Sequence, residues 1–237
     1  MKPNPEPTVL PARTRPSRPG WPEIIVGLSV TLAVGSLALL IVPLLPESEP
    51  VLSGLVLAGW SVLAPFAGFA AAALIRIRSW PAFSIRRTTW RWLLVGIVAG
   101  VVGFILKGVL NAAIIALGFE ENAQVPYYEA AGGGILPLVL TFAMISLLVP
   151  LGEEFLFRGV VMNGLLRYGA VVAVIASSVV FALFHGINLA LPGAVVFGII
   201  CAELVRRSGS IWPAVAAHTI NNLGLPVFVL IVSTSGM

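Results

Sequence analysis

The sequence predicts an all-α protein, a polytopic membrane helix bundle of about seven or eight transmembrane helices. Three observations predict it: 58% of the 237 residues are hydrophobic, only 10% are charged, and the mean hydropathy is +1.01. A soluble domain has about a quarter of its residues charged, so a chain this poor in charge cannot cover a surface that faces water. The solvent for most of the chain is therefore lipid.

The predicted spans are the uncharged apolar stretches, since about 20 residues of helix cross the hydrocarbon core. They cover residues 24–45, 51–75, 135–152, 168–202 and 211–235, and the stretch 92–119 is interrupted only by Lys107. Residues 168–202 are long enough for two spans, and turn-forming residues between Gly186 and Gly193 predict the break between them. This gives seven spans, and an eighth if Pro226 splits the last one.

Basic residues occupy every second loop. Arginines lie before the first span, between spans two and three, between four and five, and between six and seven, whereas the other loops carry glutamates and no lysine or arginine. The positive-inside rule then predicts a multi-pass protein of the cell membrane whose N-terminus is cytoplasmic. Residues 1–22 are predicted to be a disordered, basic and proline-rich arm. This arm suits anionic lipid of the bilayer but offers no folded basic face to nucleic acid.

Seven ionisable residues lie within the predicted spans or beside them, and each intramembrane charge costs at least about 2.5 kcal/mol. Each is therefore a candidate functional residue. They include both histidines of the chain and are Lys107, Glu153, Glu154, Arg158, His185, Glu203 and His218. We expect Glu203 to snorkel toward Arg206 or Arg207. We expect Lys107 to pack against neighbouring helices or to snorkel, with pairing to a buried glutamate as the alternative.

Helix geometry predicts that four polar residues meet in one layer. If span four continues as a helix through both glutamates and turns at Gly169, then Glu153 and His185 lie equally far from the turn. Each lies roughly 24 Å along its helix and they face one another. The last span brings His218 and Asn222 close to the same depth. The sequence therefore predicts a buried polar layer shared by three helices.

Spacing separates the two adjacent glutamates. Glu154 and Arg158 are four residues apart on one helix face and can form an ion pair, whereas Glu153 is rotated by about 100° and has no local partner. A carboxylate and an imidazole that share a water can make it nucleophilic, and a second imidazole with an amide can donate to an oxyanion. The layer therefore contains the parts of a peptide hydrolase.

The same residues form three motifs on successive predicted helices, Glu153-Glu154-xxx-Arg158, Phe181-xxx-His185 and His218-xxx-Asn222. In this order they resemble the motifs of the CAAX-protease and bacteriocin-processing (Abi) family of intramembrane endopeptidases. The resemblance implies that Glu153 and His185 activate a water. It implies that His218 and Asn222 form the oxyanion hole. It further implies that Glu154 and Arg158 hold the site together, and that the substrate is a peptide or a membrane protein.

The resemblance covers about residues 135–225, and the first three spans carry no matching motif. We therefore predict N-terminal transmembrane helices one to three over residues 23–134 and a catalytic helical core over residues 135–237. The site is expected to open toward the cytoplasm, where the basic loops lie, since span five is expected to continue past His185 to a short outer loop.

Metal dependence is open at this point. Glu153, His185 and His218 could complete a catalytic zinc site with three protein ligands, and many members of the family carry the label metalloprotease. Arg158 beside the glutamates favours a route without metal, because a bound cation would face a second cation. We therefore expect no cofactor and keep zinc as the alternative.

Two other functions use similar residues. Buried Glu, His and Arg side chains also occur in proton-coupled transporters, although the two halves of this chain show no internal repeat of the kind that many transporters have. A non-catalytic membrane immunity or scaffold protein could use the polar layer only to join helices. Loss of Glu153 would then track with loss of the folded protein, whereas in a protease it would abolish function alone.

Overall fold

The computed structural model describes residues 18–77, 79–118 and 124–235, and these ranges are helical and contain no β-strand. The predicted all-α fold is confirmed. Residues 1–17, most of the predicted disordered arm, lie outside the described residues. The first helix begins at Trp21, because the carboxylate of Glu23 accepts a hydrogen bond of 2.7 Å from the N–H of Gly20 and caps the helix start.

Nine helices follow one another in the described part of the chain and are numbered here in chain order. They are α1 (Trp21–Ile41), α2 (Pro50–Ile75), α3 (Trp90–Ala116), α4 (Val125–Gly132), α5 (Ile135–Tyr168), α6 (Ala170–Leu183), α7 (Leu191–Ser208), α8 (Trp212–Asn222) and α9 (Gly224–Ser235). Short 3-10 turns follow α1 at Val42–Leu44 and α2 at Trp80–Phe83.

Five of the described segments are long and apolar enough to cross a membrane by length and composition. They are Trp21–Leu44, Pro50–Ile75, Trp90–Ala116, Ile135–Tyr168 and Trp212–Ile231. The helices that correspond to predicted spans five and six are shorter, with 14 residues in α6 and 18 in α7. The chain is therefore a multi-pass helical bundle, as predicted, and the count of seven crossings stays a prediction.

Local details of the fold both confirm and correct the predicted elements. The break expected between Gly186 and Gly193 is present, because α6 ends at Leu183 and α7 begins at Leu191. However, α6 ends before His185, where span five had been expected to continue. The short helix α4 was not predicted at all.

The last predicted span also breaks at a different residue from the one expected. The division between α8 and α9 falls at Leu223, three residues before Pro226. Pro226 lies in the first turn of α9, where a missing N–H costs no hydrogen bond because the first N–H groups of a helix have no intrahelical acceptor. The proline is therefore compatible with the helix that follows the break.

Helix α5, which carries both glutamates, contains two π-helical segments, and Glu154 is the first residue of the second one. Phe142–Leu148 and Glu154–Met162 are π-helical and flank the α-helical segment Val149–Glu153. Gly152 permits close packing on α2, since a Cβ at this position would lie 2.9 Å from Cδ2 of Phe66. Such π-helical turns occur frequently at functional sites, and here the second one begins at Glu154.

Glycines bring the helices into close contact around α5. A Cβ at Gly68 of α2 would lie 1.9 Å from Oγ1 of Thr31 on α1, and a Cβ at Gly96 of α3 would lie 2.2 Å from the carbonyl oxygen of Pro213 on α8. Small residues at such contacts are usual in membrane helices, whose association depends on close packing. Leu156 of α5 is fully buried in the resulting core.

Interhelical bonds close the end of the bundle that carries the basic loops. Arg76 forms an ion pair of 2.6 Å with the buried carboxylate of Glu23, and Arg167 donates a hydrogen bond of 2.8 Å to the backbone just before α1. The side chain of Arg86 donates to the carbonyl oxygen of Gly209, in the turn between α7 and α8. The arginines from which the orientation is predicted therefore also connect separate helices and loops at this end of the bundle.

Candidate active site

Glu153 lies on the wall of a cavity, between two histidines. Its Oε2 lies 3.5 Å from Nε2 of His218, and its Oε1 lies 4.0 Å from Nε2 of His185. Oε2 has no hydrogen-bond partner within the described structure. The predicted approach of Glu153 and His185 across the hairpin at Gly169 is confirmed, and the carboxylate between the two imidazoles is free to take a proton.

His185 lies in the turn that follows α6. Its Nδ1 lies 3.0 Å from the carbonyl oxygen of Phe181. Because a carbonyl oxygen only accepts, Nδ1 carries the proton in the neutral ring, and Nε2 is left as an acceptor toward Glu153. The amide of Asn188 donates a hydrogen bond of 2.6 Å to the carbonyl oxygen of His185, and Gly186 turns the chain with a φ of 83°. The turn therefore fixes the direction of the imidazole.

Glu154 lies about 100° around α5 from Glu153 and points into the protein core. Arg158 Nη1 lies 3.0 Å from its Oε1, as the spacing predicts, and Nδ1 of His218 lies 2.9 Å from the same oxygen. Arg158 also donates a hydrogen bond of 3.0 Å to the carbonyl oxygen of Gly198 on α7, and its guanidinium lies 4.5 Å from the centre of the Phe181 ring. This buried cluster joins α5, α6, α7 and α8.

His218 links the two glutamates. A carboxylate only accepts hydrogen bonds, so Nδ1 of His218 donates to Glu154 and Nε2 is directed toward Glu153. A carboxylate behind an imidazole fixes the orientation of the ring and stabilises its protonated form. The link spans 64 positions of sequence and was not predicted. Glu154 therefore positions His218 in addition to pairing with Arg158.

Asn222 is the last residue of α8 and also lines the cavity. Its Nδ2 donates a hydrogen bond of 3.0 Å to the carbonyl oxygen of Ile145 on α5, and its Oδ1 accepts one of 3.0 Å from Asn221. An amide nitrogen has two N–H groups. One therefore holds the side chain in place, and the other is left for a ligand in the cavity.

The cavity has a volume of about 430 Å³ and is bounded by α1, α2, α4, α5 and the α6–α7 loop. Its lining includes Ser36 in the second half of α1 and Tyr127 of α4, so it lies toward the end of the bundle opposite the basic loops. This position does not favour the predicted opening toward the basic loops, and the side from which the cavity is reached stays a prediction. The arginine bonds lie at the other end of the bundle, and α6 stops before His185 on the cavity wall.

The cavity wall contains six polar residues that were not predicted as site residues, namely Thr31, Ser36, Trp60, Ser61, Tyr127 and Asn188. Five of them lie on α1, α2 and α4, in the part of the chain without a matching motif. The only sequence signal for α4 is Pro126, since proline is favoured at the start of a helix. That signal indicates a helix but does not place it over the site.

The remaining intramembrane charges lie outside the cluster. Glu203 pairs with Arg206 and Arg207, each at 2.7 Å, as predicted. Lys107 forms no ion pair with a glutamate among the described residues. Its side chain packs against α7, where a Cβ at Gly193 would lie 2.9 Å from Cγ of Lys107. The packing alternative predicted for Lys107 therefore fits the structure better than pairing does.

The possible zinc ligands Glu153, His185 and His218 lie together, with 3.5 Å and 4.0 Å between the carboxylate and the two imidazoles. Within the described ranges, no group of three His, Cys, Asp or Glu side chains is arranged as a metal site. The Arg158 guanidinium shares an oxygen of Glu154 with His218, and zinc stays the alternative. A mechanism without metal stays a prediction.

Comparison with known proteins gives one family match. Residues 135–224 match the family model described as Type II CAAX prenyl endopeptidase Rce1-like. No curated protein and no solved structure matches the chain. The family implies an intramembrane endopeptidase that acts on membrane-associated peptides in the bilayer. The matched range contains all six predicted site residues, so over residues 135–224 the chain is similar to the Rce1-like endopeptidases, in the part of the chain where the three motifs lie.

Proposed function

We propose that the protein hydrolyses peptide bonds of membrane-associated substrates with Glu153 as the general base. The observation that carries this proposal is the position of Glu153, a carboxylate on the cavity wall between the Nε2 atoms of His185 and His218. The gap of 4.0 Å to His185 is too long for a direct hydrogen bond and suits a bridging water. A water held by both groups would lose a proton to Glu153 as it attacks the substrate carbonyl carbon.

The other members of the layer would stabilise the charge that develops on the carbonyl oxygen. His218 donates from Nε2 when that atom carries a proton, and the bond from its Nδ1–H to Glu154 fixes the direction of the ring. The second N–H of Asn222 is a further donor on the cavity wall. The proton held by Glu153 then passes to the leaving amine as the peptide C–N bond breaks. One water is consumed, and one carboxylic acid and one amine are released. No step needs a metal.

We further propose that the basic loops face the cytoplasm and that the protein lies in the cell membrane. The alternation of arginine-rich and glutamate-rich loops supports this orientation. The cavity then lies in the outer half of the membrane, and peptide segments would reach Glu153 from that half.

The test is peptide cleavage by purified protein in proteoliposomes. We expect Glu153→Gln to reduce kcat by about 10² to 10⁴, the usual effect of removing a general base, and to leave the folded protein intact. Glu129→Gln, the same change at an exposed position of α4, is the matched control and should cleave normally. Cleavage by Glu153→Gln at the wild-type rate would refute the proposal. Loss of the folded protein in this variant would favour a scaffold instead.

A further inference from the structure

Three of the four hydroxyl groups that line the cavity are bonded to their own helices. Thr31 donates to the carbonyl oxygen of Gly27 at 2.8 Å, Ser36 to that of Ala33 at 3.0 Å, and Ser61 to that of Leu57 at 3.0 Å. A hydroxyl has a single proton to donate. These three groups therefore have no donor left for a ligand without breaking a bond to the helix.

The hydroxyl of Tyr127 is bonded differently. It lies 2.9 Å from Oγ of Ser61, and since the Ser61 proton goes to Leu57, Tyr127 is the donor in this pair. Its partner is a side-chain hydroxyl that keeps its other hydrogen bond if Tyr127 turns away. The hydrogen bond that Tyr127 donates can therefore be redirected to a ligand in the cavity at low cost.

The N–H donors of the cavity wall are in part committed. The only N–H of the Trp60 side chain donates to the carbonyl oxygen of Val34 at 2.5 Å, and one N–H of Asn188 donates to the α6–α7 turn. Asn222 keeps one N–H for the developing oxyanion. Among the described hydroxyl groups that line the cavity, Tyr127 therefore has the donor that is easiest to exchange.

The position of Tyr127 is fixed by the packing of α4. A Cβ at Gly54 of α2 would lie 2.1 Å from the carbonyl oxygen of Pro126, so α4 lies directly on α2. On its other side, the ring of Tyr128 packs edge-on against Phe228 of α9 at 5.8 Å. Burial raises the pKa of the Tyr127 phenol, and the negative charge of Glu153 acts in the same direction. The hydroxyl therefore keeps its proton.

We propose that Tyr127 is a substrate-binding residue whose hydroxyl donates a hydrogen bond to a backbone carbonyl oxygen of the bound peptide. The peptide would lie between α4 and α5, with Tyr127 on one wall of the cavity and Glu153 on another. A bond to the peptide backbone holds the scissile bond near Glu153 and does not depend on the side chains of the substrate. This inference rests on the proposed function and assigns to the N-terminal helices a part in substrate binding.

The first experiment measures steady-state cleavage of an internally quenched peptide with a short apolar anchor, in proteoliposomes. Loss of one neutral hydrogen bond predicts a fall in kcat/KM of about two- to tenfold for Tyr127→Phe, seen mainly as a higher KM. Tyr128→Phe makes the same change at the next residue and should leave the kinetics unchanged. Ser61→Ala should retain most of the activity, because it removes only the resting partner of Tyr127.

The alternative is that the hydroxyl pair merely ties α4 to α2. In that case Tyr127→Phe and Ser61→Ala would lower the thermal stability and kcat/KM together and to the same extent. This outcome would overturn the proposal, as would unchanged kinetics for Tyr127→Phe.

The second experiment separates substrate binding from catalysis. The same peptide, labelled with fluorescein, is titrated onto Glu153→Gln and onto Glu153→Gln with Tyr127→Phe, and binding is followed by anisotropy. Weaker binding by the double variant supports the role of Tyr127, even if the wild-type protein cleaves nothing and the proposed function fails. Equal affinity in the two proteins, including no binding by either, overturns the inference even if cleavage by the wild type supports the proposed function.

Discussion

Helix α5 presents adjacent carboxylates to two different environments. Glu153 lies on the cavity wall, 3.5 Å or more from the two imidazoles nearest to it. Glu154 is fully buried, forms an ion pair with Arg158 at 3.0 Å and accepts a hydrogen bond of 2.9 Å from His218. One step of about 100° around the helix separates them.

This difference shows how one helix can serve both chemistry and folding. A general base must gain and lose a proton, so strong permanent bonds to a cation would make it a weaker base. A buried ion pair is the opposite case, because removing one partner leaves the other charge without compensation. We therefore expect changes at Glu153 to affect the reaction and changes at Glu154 to affect the folded protein.

The largest effect is expected for Glu154→Gln. The substitution leaves the guanidinium of Arg158 buried without an anion, and breaking a buried pair in this way typically costs about 3–5 kcal/mol. Thermal unfolding in detergent should show a large loss of stability. Glu153→Gln is the matched control one residue away and should unfold like the wild type, since its Oε2 has no hydrogen bond to lose. Equal stability of the two variants would contradict the distinction between the two environments.

A smaller effect is expected in thiol labelling of the two sides. Cys201 is fully buried beside Ala214, whose carbonyl oxygen lies 3.9 Å from its sulfur, and it should not react in the folded wild type. Ser36→Cys on the cavity wall, made together with Cys201→Ala, should react at least about ten times faster with a membrane-impermeant reagent, because reaction requires an accessible thiolate.

The labelling should occur when the reagent is added from the side of the glutamate-rich loops. The cavity lies toward that end of the bundle, and the arginine loops are closed. Labelling of Ser36→Cys solely from the side of the arginine loops would instead support the cytoplasmic opening that the sequence predicts.

The smallest effect is expected for Glu203→Gln. Glu203 pairs with Arg206 and Arg207 at 2.7 Å, a shorter distance than that between Glu154 and Arg158. All three side chains are partly exposed to solvent at the end of α7, where such pairs contribute less than about 1 kcal/mol. The same unfolding assay should therefore show little change. A loss as large as that of Glu154→Gln would mean that burial does not decide the strength of these pairs.

Features that depend on neighbouring residues could be predicted before the structure was known. Hydropathy determined the helical stretches, and glycines marked the turns at Gly169 and Gly209, which have φ values of 102° and 69°. Helical periodicity predicted the pair Glu154–Arg158, and equal distances from one turn predicted that Glu153 meets His185. These features follow from 3.6 residues per turn and a rise of 1.5 Å per residue, and they need no knowledge of other helices.

How distant parts of the chain meet could not be predicted in this way, because it depends on the packing of the folded bundle. Three features depend on the packing of separate helices. They are the hydrogen bond from His218 to Glu154, the position of Tyr127 over the cavity, and the end of the bundle toward which the cavity lies. A gap between helices is set by the shapes of the side chains and glycines that pack around it, such as Gly54 against Pro126. Hydropathy and periodicity describe which face of a helix is apolar. They do not describe which neighbouring helix covers that face, or where the face is left uncovered and a cavity remains.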